Sequence, residues 1–465
     1  MNQLSLKEKI LITIKRLGIN GEGIGYYKRL AVFVEGALPG EEVEVEITKL
    51  DDKFAYGKII RIKKKSSFRV EPKCPYFGKC GGCDLLHLDY KAQLHEKKNL
   101  VIEAFNRYFD GDVSRIKFYD CIGMDDPFAY RNKTSLVLRF DGNKVVSGLY
   151  AKGTNQLVYV DECELESEIV RKTLKEVLAY LTLKRVSIFN TKTHEGIIRF
   201  LIIRAFNDKD IQVTFVLAKE DAKTIEILKG TPVPSVFYSI NSDYKSVEMF
   251  GPNIECAKGK KQITANLGEL SLKVSPKSFF QLNSIQVVKL YDEIKAVANL
   301  TGKEKVLDCY CGIGSIGLYL ASDALEVRGI DINKDGIKDA IKYAKDNGIT
   351  NSTFYAGNII PYLHQFKEKG FIPDVLIVDP PRKGLDMNFI NYLKTSSIKK
   401  IVYVSCNPAT LVKNLNALKK QYEISEVRII DMFPNTAHVE TIVLLTLKNQ
   451  KQAKFNQKYR KNAHF

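Results

Sequence analysis

The 465-residue sequence has no uninterrupted apolar stretch approaching the roughly 18 residues of a membrane span, so no membrane association is expected. Its start, Met1-Asn2-Gln3-Leu4-Ser5-Leu6-Lys7-Glu8, lacks the apolar core of a secretion signal, and a cytoplasmic location is expected. Without an export signal, nine cysteines point to reduced thiols, metal ligands or catalysis rather than a disulfide framework. No tandem repeat is visible. Acid is in short supply: 54 Asp and Glu face 71 Lys and Arg, for a net charge of +17. Such an excess favours polyanions through counterion release, although lysine-rich composition alone can raise it. Residues 450–465 carry Lys451, Lys454, Lys458, Arg460 and Lys461 with no acid, and read as a basic disordered tail.

What is present is an ordinary globular composition, 45% hydrophobic and 27% charged, on a chain long enough for about three domains. Residues 1–63 read as a small β-barrel, with short strands at Ile10–Ile14, Ala31–Val34, Val43–Ile47 and Tyr56–Ile60. Turn signals at Gly21–Gly25 and Leu38–Glu41 separate them. Small closed barrels often carry oligonucleotides, and the basic charge tilts this one toward RNA. Lys63-Lys64-Lys65 marks a boundary. Residues 64–267 read as a central α+β domain: a cysteine-rich loop, a helix over about 90–109, alternating strands, and one helix near Glu166–Leu181. Residues 268–449 alternate strands and helices, as a parallel doubly wound sheet does.

Two motifs in that last region close β-branched runs. Asp379-Pro380-Pro381-Arg382 follows Asp374–Val378, and Ser405-Cys406-Asn407-Pro408 follows Ile401–Val404. Each therefore sits where a buried parallel strand ends, the edge at which ligands and catalytic groups collect. A thiol beside a carboxylate on a neighbouring strand suggests covalent catalysis. A lone cysteine is more often a small buried hydrophobe; the setting of Cys406 reverses that judgement. The Pro-Pro pair stiffens the turn and restricts Asp379 to extended backbone. A structural turn capped by an Asp379–Arg382 ion pair is the weaker alternative.

Gly312-x-Gly314-x-x-Gly317 follows the strand Lys305–Asp308, and Asp331 stands about 20 residues on, the spacing of a nucleotide-binding fingerprint. The motif alone does not separate NAD from S-adenosylmethionine. Asp308, just before the glycines, and the Asp-Pro-Pro-Arg motif, which has no part in hydride transfer, favour S-adenosylmethionine.

Five motifs occur in order: Ser-Pro-Lys-Ser-Phe-Phe-Gln (275–281), Asp-Cys-Tyr-Cys-Gly-Ile-Gly (308–314), Asp-Pro-Pro-Arg-Lys-Gly-Leu-Asp (379–386), Ser-Cys-Asn-Pro-Ala-Thr-Leu (405–411) and Phe-Pro-Asn-Thr-Ala-His-Val-Glu (433–440). Together they resemble the S-adenosylmethionine-dependent RNA uracil-5-methyltransferases. The barrel resembles a TRAM domain, so the resemblance spans nearly the whole chain and is nearest to the bacterial branch acting on 23S ribosomal RNA. The tRNA T-loop enzymes of this family typically lack the barrel and the cysteine loop. The resemblance implies Cys406 as nucleophile, Glu440 as base, and Gln281, Tyr310, Asp331 and Asp379 as contacts to S-adenosylmethionine or uracil. It implies a monomer with an RNA partner. Lys413-Asn414 departs from an Arg-Asp found in many members, and Ser315 from an Asn found in some.

Cys74-x5-Cys80-x2-Cys83 is a compact ligand set that calls for a fourth donor, and spacing alone would suggest zinc. The resemblance supplies Cys163 and a [4Fe–4S] cluster. Cys121, Cys256, Cys309 and Cys311 match no ligand and are expected to pack. His87, His95 and His194 are isolated; His438 lies in the Glu440 motif. Tyr130-Arg131-Asn132-Lys133 resembles an RNA-contacting segment. The competing functions are a tRNA T-loop methyltransferase, a methyltransferase acting on an exocyclic base nitrogen or a protein amide, and a non-catalytic RNA-binding assembly factor. Arg382 and Cys406 argue against the second, and intact Cys406, Asp379 and Glu440 against the third.

Overall fold

In the computed structural model, residues 4–154, 156–246 and 248–448 are described; the basic segment 450–465 lies outside them. The first element is a closed barrel, in the order β1-β2-β3-β5-β4. Its strands are β1 (Lys9–Leu17), β2 (Gly23–Tyr27), β3 (Leu30–Val34), β4 (Glu42–Leu50) and β5 (Phe54–Lys64). Period-two alternation turns Ile10, Ile12 and Ile14 of β1 and Val43, Val45 and Ile47 of β4 into the barrel core. Of the stretch read from sequence as a glycine turn, Gly21 (φ 84°) and Glu22 lie in the turn after β1, while Gly23 and Gly25 belong to strand β2. A Cβ on Gly23 would lie 2.5 Å from the Ala37 carbonyl, and one on Gly25 2.8 Å from that of Thr13. The glycines serve close approach of strands rather than a reversal.

Helix α1 (Tyr90–Tyr108) and strand β6 (Lys117–Ile122) follow. A seven-stranded sheet comes next, ordered β13-β12-β11-β10-β7-β8-β9. It comprises β7 (Lys133–Asp141), β8 (Lys144–Tyr150), β9 (Leu157–Tyr159), β10 (Ile198–Asn207), β11 (Asp210–Leu217), β12 (Ser235–Ile240) and β13 (Glu255–Lys258). Helix α2 (Glu168–Leu183) buries Val170, Leu174, Val177 and Leu181, spaced to form one face, and packs on β8 and β10. A second helix, α3 (Ala222–Lys229), packs on β12 and β13 where the sequence reading had only one. The hairpin β14 (Ile263–Leu267) and β15 (Leu270–Val274) ends this region.

The remaining elements are α4 (Ser284–Ala298), β16 (Lys305–Cys309), α5 (Ser315–Leu320), β17 (Glu326–Asp331), α6 (Lys334–Asp346), β18 (Ser352–Ala356), α7 (Ile359–Glu368), β19 (Val375–Val378), α8 (Met387–Thr395), β20 (Lys400–Ser405), α9 (Pro408–Leu418), β21 (Tyr422–Ile430) and β22 (Glu440–Leu447). They build an eight-stranded sheet, β18-β17-β16-β19-β20-β22-β21-β6, in which only β22 runs against its neighbours. Val375–Val378 is buried at every residue, as a strand covered on both faces must be.

By packing, the chain forms two compact units whose limits differ from those drawn on motifs. Among the described residues, one holds 4–93, 124–285 and 433–437, and the other holds 94–123, 286–432 and 438–448. Strand β6 pairs with β21, and α1 supplies Val101, Ala104 and Phe105 to the core of the second unit. Among the described residues no helix is long and apolar enough to cross a membrane.

Inside the second unit, Lys97 of α1 reaches Asp431 at 2.5 Å, both side chains fully buried. The Asp431 backbone donates to Ile122 and accepts from the Gln286 side chain, so this pair fixes where β21 ends. Removing one member leaves a buried charge, which costs about 3–5 kcal/mol. Lys97→Met should therefore lower the thermal midpoint clearly, and adding Asp431→Leu should recover part of the loss. Calorimetry of the three proteins checks this; an unchanged midpoint in the single variant would contradict it.

Candidate active site

The sheet brings the two motifs together. Strand β19 lies between β16 and β20, and Val378 pairs with Cys309 on one side and Tyr403 on the other. Asp379 and Cys406 thus leave the same edge of the sheet. Strand β22 runs antiparallel to β20 with Ser405 opposite Thr441, which sets Glu440 beside Cys406. Arg382 lies near enough to Cys406 to pull its thiol down.

The loops carrying these groups are held by few residues. The Asn407 side chain caps α9 through the Thr410 amide and donates to the Arg382 carbonyl at 3.4 Å. Asn414, buried in α9, accepts from the Leu385 amide at 2.9 Å and the Tyr403 hydroxyl at 2.8 Å. Gly384 adopts φ 79°, and a Cβ there would stand 2.4 Å from the Asn414 oxygen. The Lys413-Asn414 departure is therefore a loop anchor on its Asn414 side, a role the sequence reading missed.

Like charges crowd this edge. Burial raises the Asp379 carboxyl to about 7. Burial, with Asp379 adding repulsion, raises Glu440 well above the usual carboxylate range, while Arg382 opposes the shift. The Cys406 thiol is pushed up by burial and by Glu440 and Asp379, and Arg382 pulls it down. Asp308 is fully buried; burial, then Asp379 and Asp331, raise it to about 8. One Asp308 oxygen accepts from the Gly317 amide at 2.9 Å, and the other has no hydrogen-bond partner.

On the glycine loop, Gly312 donates to Asp331 at 2.9 Å and Asn333 donates to its other oxygen at 2.7 Å, so the carboxylate is oriented at the end of β17. Tyr310 holds φ 64° and its ring lies 6.2 Å from that of Phe389. A Cβ on Gly314 would press on Phe354 and Ala340, which explains why glycine stands there. Ser315 shares a hydrogen bond with Tyr291 at 2.7 Å. An unsatisfied buried carboxyl among other acids suits a cationic ligand such as a sulfonium.

Gln281 belongs to the other unit. Its segment is gripped by Arg204, which donates to the Ser275 and Ser278 carbonyls, and by Asn132, which donates to the Gln281 carbonyl at 2.9 Å. Neither residue was singled out for this from sequence. Tyr130 and Asn132 are buried, with Tyr130 donating to the Pro434 carbonyl, so the segment read as an RNA contact is mostly internal scaffold.

The cysteine loop lies in this same unit. Tyr76, inside it, donates to Asp161 at 3.0 Å, which ties the loop to the segment carrying Cys163. Burial raises Cys83 to about 12, and Cys163, Cys74 and Cys80 all push it the same way. The four thiols are thus neighbours, yet among the described residues no three His, Cys, Asp or Glu stand close enough to hold a metal ion. Tetrahedral zinc would need sulfurs within roughly 4 Å of one another; a four-iron cubane spreads its ligands further. Among the described residues the cysteines, as placed, form no metal-binding group of either kind. Cys121, Cys309 and Cys311 are buried as expected, and Cys256 is partly exposed on β13. His87 is buried against Phe77 and, through burial, stays neutral down to about pH 4. His194 packs with Phe189 and Tyr244, and His438 is exposed.

Comparison with known proteins agrees with this arrangement. Residues 260–448 match the tRNA (uracil-5-)-methyltransferase family, and residues 6–60 match the TRAM domain. A Bacillus anthracis protein named an uncharacterized RNA methyltransferase is 42% identical over 96% of this chain and 98% of its own. A Halalkalibacterium halodurans protein of the same designation is 41% identical over 95% and 97%. The crystal structure of a Pyrococcus abyssi tRNA (uracil-54, C5)-methyltransferase with S-adenosyl-L-homocysteine superposes with a TM-score of 0.73. It is 27% identical, covering 94% of this chain and all of that one. The chain belongs to the tRNA (uracil-5-)-methyltransferase family and carries an N-terminal TRAM domain. It is an S-adenosylmethionine-dependent RNA methyltransferase.

The raised acids carry a stability signature. Asp308 and Asp379 have ordinary values of 3.8 and folded values of about 8 and about 7. The folded state therefore holds extra protons between those limits. Their stabilising contribution is complete below about pH 4 and is lost as pH rises through 7 to 8. The thermal midpoint should fall from about pH 6 to about pH 8.5, and Asp379→Asn should be more stable than wild type at the upper end. Equal pH slopes in the two proteins would contradict the assignment.

Proposed function

We propose that this enzyme methylates C5 of a uridine in 23S ribosomal RNA through a covalent bond between Cys406 and C6 of the base. The observation that carries the reading is the strand register that sets Glu440 beside Cys406, with Asp379 and Arg382 at the same edge. C5 of uracil is a poor nucleophile. Addition of the Cys406 sulfur to C6 moves the C5–C6 electron pair into the ring carbonyl system and makes C5 enolate-like. Arg382, near the sulfur, favours the thiolate that attacks. S-adenosylmethionine, when bound, supplies an electrophilic methyl group and a positive charge. Glu440, ionised, removes the C5 proton; the C5–C6 double bond re-forms as the C6–sulfur bond breaks, freeing Cys406. Tyr310, Asp331 and Asp379, with Gln281, are assigned to holding the methyl donor or the uracil ring. Stacked bases hide C6, so the target uridine is unpaired or flipped out.

In this reading residues 1–63 bind RNA, residues 64–267 carry Cys74, Cys80, Cys83 and Cys163 as ligands of a [4Fe–4S] cluster with a structural role, and residues 268–449 hold the chemistry. The enzyme works as a monomer in the cytoplasm. A second reading, methylation of the tRNA T-loop, is favoured by the likeness to the Pyrococcus abyssi enzyme.

Cys406→Ala should lower turnover by roughly a thousandfold or more while methyl-donor binding, measured by calorimetry, stays near wild type. A variant keeping about a tenth of the activity would exclude the covalent route. Glu440→Gln should accumulate a protein–RNA adduct stable on a denaturing gel, because attack and transfer proceed and release does not. Wild-type turnover in Glu440→Gln, with no adduct, would place the base elsewhere. On initial rates, 23S fragments with an unpaired uridine should exceed tRNA by about tenfold; the reverse order would establish the tRNA reading.

A further inference from the structure

The outer face of the barrel carries aromatic rings that its core does not use. Phe33 on β3 and Phe54 and Tyr56 on β5 alternate with the buried residues of their strands and stay outside the packed interior. They lie against one another instead, with ring centroids between 5.5 and 5.8 Å apart. Tyr56 is 41% exposed. Clustered rings left in water mark a surface that something covers. Lys49 stands over the Tyr56 ring at 5.9 Å, and Lys58, two residues on from Tyr56, shares its face.

A cleft of about 660 Å³ opens on Phe33, Tyr56 and Lys58, and Phe77, Lys79 and Lys152 also line it. Its acids are already engaged. Lys152 bonds Asp84 at 2.6 Å and approaches Glu35 at 3.8 Å, while Glu22 accepts from Asn20. Lys58 and Lys79 have no side-chain partner among the described residues, and Lys58 makes no ion pair with Glu46 opposite it on β4. The cleft thus offers a ring platform with two uncommitted cations beside it.

We propose that this cleft holds an unpaired nucleotide of the substrate RNA other than the target uridine. Its base stacks on Tyr56 and Phe33, and its flanking phosphates pair with Lys58 and Lys79. The inference rests on the RNA-binding reading of residues 1–63 given above, and names the place and the form of RNA bound. Every base has a π-face, so such a platform captures single strands with little regard for sequence. A duplex keeps its bases stacked on one another and presents only its backbone here. The volume is that of a small-molecule site, which suits a nucleotide and not a double helix.

The test uses the full-length protein and, as probe, a single-stranded oligoadenylate about eight nucleotides long, which stacks but carries no uracil for the methylation site. Fluorescence anisotropy gives its affinity at several salt concentrations, beside that of a duplex of the same length. Wild type should bind the single strand more tightly; equal binding of the two would overturn the proposal. Tyr56→Ala should weaken single-strand binding about tenfold with its salt dependence unchanged. Tyr56→Phe should bind as wild type does, because stacking needs the ring and not the hydroxyl. Lys58→Ala and Lys79→Ala should each reduce the slope of log affinity against log salt by about 0.7. On whichever RNA the wild type methylates, Tyr56→Ala should raise the KM for RNA and leave kcat and methyl-donor affinity alone. Oligoadenylate binding unchanged in Tyr56→Ala and in the double variant Lys58→Ala, Lys79→Ala would overturn the proposal and leave the methyltransferase reading standing. Self-association lost in Tyr56→Ala, with oligoadenylate binding intact, would overturn it in favour of a second copy of this chain. If Tyr56→Ala fails to fold, the salt slopes of the lysine variants decide, and wild-type slopes overturn the proposal. A wild type that binds the single strand through these residues yet methylates neither 23S fragments nor tRNA would uphold the cleft and remove the substrate reading.

Discussion

Three carboxyls and a thiol share one edge of a parallel sheet, and every one of them is harder to ionise there than in water. That electrostatic crowding is the constraint on which the rest of the site depends. Folding alone would favour neutral side chains in these positions. A cationic methyl donor would gain from the negative charge it finds there. Arg382 is the exposed counterweight that keeps the crowding within bounds, since it opposes the shifts of both Cys406 and Glu440.

Holding repelling groups together requires a stiff frame, and the frame is made of short polar links rather than added apolar bulk. Asn414 joins α9 to the turn after Arg382, Asn407 joins the start of α9 to Arg382 itself, and the Lys97–Asp431 pair fixes the end of β21. Since Ile430 pairs with Glu440 across β21 and β22, a shift in that strand end would be felt at Glu440. Each link lies within a few residues of Arg382, Cys406 or Glu440, along the chain or across a strand pairing. Loosening any of them disturbs the alignment of the groups at this edge.

Much of this was legible in the sequence because it was written in local pattern. The β-branched runs before Asp379 and Cys406 announced buried strands, and the glycines after Asp308 announced a nucleotide turn. Family motifs then supplied Glu440, which no periodicity distinguishes from a surface acid. Two kinds of feature escaped. Gly23 and Gly25 read as a turn because glycine signals reversal and close packing alike, and only the Ala37 and Thr13 carbonyls decide between them. Asn132, Arg204 and Asn414 work through partners up to about 150 residues away along the chain. A polar residue in a strand or helix carries no local mark of such a partner. The Tyr130–Lys133 stretch failed in the same way, its mixed polar character describing an internal scaffold as well as it would describe an RNA contact.

Strand β22 is the only one in its sheet that opposes its neighbours, and the pairing of Ser405 with Thr441 is what selects Glu440. Side chains on a strand alternate between faces, so moving β22 by one residue would present Val439 or Thr441 in its place. Which residue stands beside Cys406 is consequently all-or-none. It is stored in a backbone ladder as a whole number, where no gradual drift of side-chain packing can retune it.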